Sequence, residues 1–379
     1  MDRLLSPVYV TKPLLPDKDE LFAGINQIYD SGIVTNMGPI HQQLEMRLHQ
    51  KLGGQCFLNF NNGTISLMAA LFALDLPPGS EVITTPFSFA ATAHAIVALG
   101  LKPVFADVDP VYMTLDPKTI TERITEHTSC ILAVHVYGYP CDVNGIAQVA
   151  QERGLKVVYD AAHAFGLKID GVNVAEFGDA SSFSFHATKL FNSVEGGGLA
   201  LNDPDTEQLA RDYRNFGIRS EDHVASAGIN GKMNEFNALI GLLNLDLIDA
   251  EIAARGAVSD TYEAILKDCP FLHIARYPEN VARSFQYFPV RIETHRETVY
   301  AALKDFNVFS RRYFYPLMAD FDCYRDLPST VALPHARKAS DEVLCLPYYG
   351  ELADGRAETI ARAVVAILSN LRVTEASGG

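Results

Sequence analysis

Three observations predict an α/β fold for this chain. Short β-branched and aromatic runs recur between Glu81 and Asn202, helix-forming stretches separate most of them, and a long helical period follows Met233. The strand candidates are Glu81 to Thr85, Pro103 to Val108, Cys130 to Tyr137, Lys156 to Asp160, Ser182 to Phe185 and Gly198 to Asn202. Between them, Ala91 to Leu99, Asp116 to His127 and Val143 to Arg153 read as helices, the alternation of a mostly parallel sheet covered by helices. From Met233 to about Leu266 the apolar residues Phe236, Ile240, Leu243 and Leu247 recur every three or four positions, so a long helix is expected. We place the boundary inside it, giving a large domain over 7–245 with the N-terminal segment and a smaller C-terminal α/β domain over 246–373. The latter would hold a strand at Gln286 to Ile292, helices at Arg296 to Asp305 and Ala357 to Leu371, and a Tyr-rich segment before Pro316.

Composition narrows the partners. A formal net charge of -15 argues against nucleic acid, since binding a phosphate backbone needs a surplus of Lys and Arg. The six cysteines form no CxxC pair, so neither a zinc site nor a disulfide scaffold is expected. The opening residues lack the pattern of a secretory signal, and no apolar run reaches the ~18 residues of a spanning helix. A reduced, cytoplasmic protein without membrane contact is the expectation.

The chemistry begins with Lys189, which closes Ser182-Phe-Ser-Phe-His-Ala-Thr-Lys189 and follows Asp160-Ala-Ala-His-Ala-Phe-Gly166. A carboxylate at one strand end and an amine beyond the next are what pyridoxal phosphate needs, one for the pyridine nitrogen and one for the aldehyde. A lysine after a strand is usually solvated surface. Here it lies between a buried strand and the turn Glu195-Gly-Gly-Gly198, where burial would depress its pKa. Asp160 serves equally as a helix N-cap. Asn61-Asn62-Gly63-Thr64 opens a helix-forming run and offers free N–H groups to a phosphate, although an ordinary cap is the commoner use of such a turn. Phe89 could stack on a flat cofactor or join the core, and His163, three residues after Asp160, is placed to reach a ring substituent. Ser184 could add a hydroxyl to a phosphate.

Other anchors are weak or missing. Asp107-Val-Asp109 has the look of a metal-binding glycosyltransferase motif, but Pro110 makes a strand-ending turn the better reading. The histidines share no metal-ligand spacing, and no metal is expected. GxGxxG, P-loop and GxSxG sequences are absent.

With these residues assembled, the chain resembles the DegT/DnrJ/EryC1/StrS sugar aminotransferases from about Pro7 to Leu371. The resemblance rests on Asp160 to Gly166, on Ser184 to Lys189 with Glu195 to Gly198, and on Gly228-Ile-Asn230-Gly-Lys232-Met-Asn-Glu235. It implies a fold type I pyridoxal phosphate enzyme in which Lys189 bonds the cofactor aldehyde and Asp160 pairs with the ring nitrogen. Gly63, Thr64 and Ser184 would hold the phosphate, Phe89 and Ala162 the two ring faces, and His163 the ring hydroxyl. Asn230 would reach the phosphate in a neighbouring subunit, making a homodimer with composite sites. The family often has Gln at His163 and Pro at Ala187. Retention of Lys189 separates the chain from a dehydratase branch that carries histidine there.

The implied reaction moves an amino group from L-glutamate to a nucleotide-linked ketosugar, for the O-antigen of lipopolysaccharide or for another glycan. Candidate substrate contacts are Arg219, Lys232, Arg311 and Tyr315, the last in the segment Arg311-Arg-Tyr-Phe-Tyr315-Pro. The opening Val8 to Pro16 and the run Gly32 to Glu45 resemble members that convert dTDP-4-keto-6-deoxyglucose to dTDP-4-amino-4,6-dideoxyglucose. Amination of a 3-keto or a UDP- or GDP-linked sugar is the alternative, and a non-turning-over regulator that binds the cofactor or a sugar nucleotide is the reading from another class.

Overall fold

The apolar runs of the first two thirds of the chain assemble into one seven-stranded sheet, described together with the rest of residues 3–377 by a computed structural model. Its strands are β1 (Cys56–Phe60), β2 (Glu81–Thr84), β3 (Lys102–Phe105), β4 (Thr128–Val134), β5 (Lys156–Asp160), β6 (Ala180–Ser184) and β7 (Gly197–Leu201). They lie in the order β1-β7-β6-β5-β4-β2-β3. Only β7 runs antiparallel to its neighbours, so the expected mostly parallel sheet is present. β4 is buried from Cys130 onward and β5 from Val157 onward, because helices cover both faces of a parallel sheet.

β1 is not among the strands read from the sequence. Asn59 interrupts its apolar run, yet Asn59 is fully buried, its N–H donating to Glu45 and its carbonyl accepting from Arg214. The expected strand over Cys130 to Tyr137 ends early, at Val134. Beyond it His135 turns the chain by accepting the Cys141 N–H on Nδ1 at 3.0 Å, and Tyr137 takes a positive φ of 58°.

The helices that position the site are α1 (Gly63–Ala73), α2 (Ala91–Ala98) and the long α3 (Glu235–Leu266). Asn234 caps α3 by accepting the Asn237 N–H. The helix buries Ala238, Leu245 and Ile248 in the core beneath the sheet, and Val258, Tyr262 and Leu266 in a second core. The second core gathers Phe288, Val290 and Ile292 of one strand, Leu344 and Leu346 of its antiparallel partner, and Ile360, Val364 and Leu368 of the last helix, Arg356–Ser377. Val8 also belongs to it, since the two-residue strand Val8–Tyr9 pairs with Val308–Phe309. The N-terminal segment, expected with the large domain, thus starts beside Val308–Phe309 and in the second core. A third cluster joins the two, packing Phe87, Phe105 and Tyr137 against Phe314, Leu317, Met318 and Cys345.

Candidate active site

The C-terminal ends of the parallel strands open into a cavity of ≈ 300 Å³, the place where open α/β sheets bind ligands. β1 delivers the turn that starts α1, the chain after β2 delivers Phe89, β5 delivers Asp160, and β6 delivers Ser184 and the loop that carries Lys189.

The turn is shaped by absent side chains. A Cβ on Gly63 would lie 2.8 Å from the Ser184 Cβ, and one on Gly197 would strike the Asn62 carbonyl, so α1 starts flush against β6 and β7. Asn62 caps the helix by accepting the Ile65 N–H at 2.9 Å, and its carbonyl takes the Ser66 N–H. Both bonds lie past Gly63 and Thr64, whose own N–H groups have no acceptor among the described residues. Two free donors at the positive end of an 11-residue helix suit an anion. The cap reading and the phosphate reading thus coexist in one turn.

Asp160 ends β5 with 5% of its surface exposed. Its Oδ2 accepts from the Thr92 hydroxyl at 2.8 Å and its Oδ1 from the Ala162 N–H at 3.1 Å. Ser88 supports Thr92 at 3.0 Å. Burial pushes the carboxyl above its usual range, against the pull of these donors and of Lys189. A buried carboxylate left under-compensated is suited to a cationic partner such as a protonated ring nitrogen. Ser88 and Thr92 escaped the sequence reading, although hydroxyls four residues apart at the start of a helix after a strand were a visible signal.

Lys189 sits in a loop that folds back on itself between β6 and β7. Phe185 N–H donates to Gly196 O at 2.8 Å, Ala187 N–H to Val194 O at 2.7 Å, and Lys189 N–H to His186 O at 2.8 Å. The side chain enters the cavity, where burial pulls the amine down to about 8 despite the opposing charge of Asp160. A substantial neutral fraction near neutral pH is what attack on a carbonyl needs. Phe89 presents 63% of its surface at the rim of the same cavity, and among the described residues no ring stacks on it.

His163 is buried, with Nδ1 accepting the Tyr137 N–H at 3.0 Å. That bond puts the ring proton on Nε2 and makes it a donor. Burial first, and then the Lys189 charge, hold its pKa well below the ordinary histidine value, so the ring stays neutral. Ala162 and Ser184 complete this wall. Anion donors, a buried carboxylate, a lowered amine and an open aromatic face form a donor set that fits a flat, phosphorylated aldehyde.

The remaining candidates lie elsewhere, and none of them lines the cavity. Arg219 holds Asp212 at 2.6 Å on an exposed hairpin, and Lys232 donates to Asn215 at 3.0 Å beneath the Phe216 ring. Asn230 is exposed, its backbone bridged to Asn215 and its carbonyl accepting from Asn61. Arg311 is exposed, and Tyr315 stands between Arg296 and Arg312 at 4.9 and 5.1 Å. From that segment it is Tyr313 and Phe314 that face the cavity. Asp107 and Asp109 are spent on local structure. Asp107 accepts the N–H groups of His335 and Ala336 at a helix start, and Asp109 those of Val111 and Tyr112 in a turn.

Fold and cavity together define a class, the α/β aminotransferases that work through pyridoxal phosphate. The DegT/DnrJ/EryC1/StrS aminotransferase family matches residues 16–365, and the chain belongs to that family. A dTDP-4-amino-4,6-dideoxy-D-glucose transaminase from Shigella dysenteriae is 41% identical over 362 residues, covering 94% of this chain and 98% of that enzyme. The crystal structure of DesI in the presence of its TDP-sugar product matches with a TM-score of 0.92 at 32% identity, over 100% of this chain and 97% of that one. NtdA from Bacillus subtilis, solved with the bound cofactor PMP, matches with a TM-score of 0.85 at 27% identity, over 93% and 83%.

Proposed function

We propose that this enzyme transfers the amino group of L-glutamate to dTDP-4-keto-6-deoxyglucose, giving dTDP-4-amino-4,6-dideoxyglucose for O-antigen or related glycan synthesis. The observation that carries the reaction type is the convergence of the Lys189 amine, the Asp160 carboxylate and the Gly63–Thr64 turn in one cavity. Similarity to the Shigella transaminase along nearly the full length of both chains supports the choice of sugar.

In this reading Gly63, Thr64 and Ser184 hold the cofactor phosphate, Asp160 the ring nitrogen, His163 Nε2 the ring hydroxyl, and Phe89 and Ala162 the ring faces. Pyridoxal phosphate, when bound, supplies an electrophilic carbonyl and a ring that accepts the electron pair of a broken C–H bond. Lys189 Nζ takes the proton from the α-carbon of glutamate and returns one, in the second half-reaction, to C4 of the sugar. Thr92 and Ala162 keep Asp160 oriented throughout. The apolar wall of Tyr313, Phe314 and Tyr287 keeps water from the reacting carbon.

The enzyme acts as a homodimer. Phe216, Ile218 and Val224 at the hairpin, and Ile33 and Val34 in the N-terminal segment, are large apolar side chains left exposed on one chain. A second copy covering them would bring Asn230, Arg219 and Lys232 to the partner's cavity. Arg311 and Tyr315, beside Arg296 and Arg312, offer charge and a ring to the diphosphate and base of the sugar nucleotide. Six free cysteines fit a reducing cytoplasm, and among the described residues no helix is long and apolar enough to cross a membrane. The test is a panel of dTDP-, UDP- and GDP-ketosugars with L-glutamate, read by mass spectrometry and NMR. The dTDP-linked 4-keto sugar should yield the 4-amino product. Preferential amination at C3, or of a UDP- or GDP-linked sugar, would overturn the substrate assignment.

A further inference from the structure

The Lys189 loop is gripped from outside the sheet by one buried amide. Gln286 is 1% exposed and lies just before Phe288–Ile292, the strand that enters the second core. Its Oε1 accepts the Leu190 N–H at 2.7 Å, and its Nε2 donates to the Thr188 carbonyl at 3.2 Å. Both ends of the side chain are therefore bonded to the residues flanking Lys189, one on each side.

The segment around Gln286 is itself fixed. Ser284 Oγ donates to the His163 carbonyl at 2.8 Å, and Arg255 of α3 donates to the Phe285 carbonyl at 3.2 Å. Phe285 takes a positive φ of 55°, a conformation bulky residues seldom adopt unless their surroundings impose it. Tyr287, the next residue, lines the cavity, and hydrogen bonds to Gln286 and Thr188 oppose the rise that burial imposes on its phenol. One short stretch thus touches the backbone of His163, the backbone on both sides of Lys189, and the cavity wall.

We propose that Gln286 is a positioning residue that fixes the direction in which the Lys189 side chain leaves the backbone, and that it carries the seating of the C-terminal unit to that amine. This rests on the reading of Lys189 as the reacting group. A lysine has four methylenes and many rotamers, so a site that needs its nitrogen at one point must first hold its backbone. Bonds made inside the loop hold the N–H groups of residues 185, 187, 188 and 189, and the Gln286 amide holds the Thr188 carbonyl and the Leu190 N–H from outside it. Without the amide the Thr188 carbonyl and the Leu190 N–H lose their outside hold, and the lysine between them can turn its amine toward solvent.

The test uses Gln286→Met, which keeps length and loses both polar ends, and Gln286→Glu, which keeps an acceptor for Leu190 but sets a carboxylate against the Thr188 carbonyl. In the cofactor-free protein, the pH dependence of Lys189 modification by an amine-reactive reagent is followed by peptide mass spectrometry. Gln286→Met should raise the midpoint by about one pH unit, a tenfold smaller neutral fraction at pH 7, and Gln286→Glu should raise it too. In the loaded enzyme, kcat for the glutamate half-reaction should fall about tenfold or more with KM nearly unchanged. Folded variants with a native midpoint and native kcat would overturn the proposal, whatever their melting temperature. Failure of both variants to fold would also count against it, because positioning predicts a folded protein with a displaced amine. A wrong assignment of Lys189 shows up separately, as native turnover in Lys189→Ala.

Discussion

The cavity floor and the surface segment from Asn215 to Lys232 are built on opposite terms. On the floor, Asp160, His163 and the Lys189 loop are buried or half-buried and tied by short bonds to neighbours in the same chain. The surface segment carries Arg219, Asn230 and the exposed apolar side chains of Phe216, Ile218 and Val224, with Arg219 bonded to Asp212, the Asn230 carbonyl to Asn61 and Lys232 to Asn215. Groups that change protonation state are shielded from water, because only there do burial and neighbouring charge move a pKa. In our reading the groups that grip a second copy stay exposed in the single chain. One chain can complete the chemistry, and in our reading two are needed to complete the binding.

The comparison breaks most visibly at its centre. Lys189→Ala should lower kcat by about 10⁴-fold, the upper end of what a positioned proton carrier contributes, measured as product formed from glutamate and the ketosugar. Asp160→Asn should cost about 10²–10³-fold in kcat, with the cofactor retained by the phosphate turn, as read from its absorbance after gel filtration. Asn230→Ala tests the other region. It should weaken cofactor retention about tenfold, one charge-assisted hydrogen bond's worth, while leaving the pH midpoint of Lys189 labelling unchanged in the cofactor-free protein. A shifted midpoint would mean that the two regions are not separable.

The smallest effect concerns the packing beneath both. Burial alone would raise the Glu45 carboxyl, but the His41 hydrogen bond and the Arg214 charge outweigh it and hold the pKa at about 2, against an ordinary 4.5. The folded state thus keeps a proton off where the unfolded chain takes one up. Its contribution is complete above pH 4.5 and disappears as pH falls toward about 2. Glu45→Gln should flatten that part of the difference curve of melting temperature against pH, relative to the native protein.

What could be read in the sequence follows the same division. The strands β2 to β6 and the residues at their ends were legible because burial on both faces leaves continuous apolar runs, with the polar residue that ends each run standing out. β1 was hidden by Asn59, a buried polar residue whose partners Glu45 and Arg214 lie 14 and 155 positions away. Gln286 was invisible for the same reason, since it meets Leu190 across 96 residues. The antiparallel direction of β7 and the attachment of Val8 to the C-terminal unit are likewise matters of pairing between distant segments. The exposed candidates gave the weakest signal. An exposed Arg219 or Arg311 looks the same in a string of letters whether it holds a diphosphate or only water.

One feature also bears on how the molecule comes apart. α3 runs 32 residues, about 48 Å, without a break and contributes side chains to the cores at both of its ends. To lose one core and keep the other, the chain would have to fray that helix at its middle and hold a new end there with no cap. The two units are therefore coupled like floors hung on one beam, and heating should melt them in a single cooperative step, seen as one calorimetric peak rather than two.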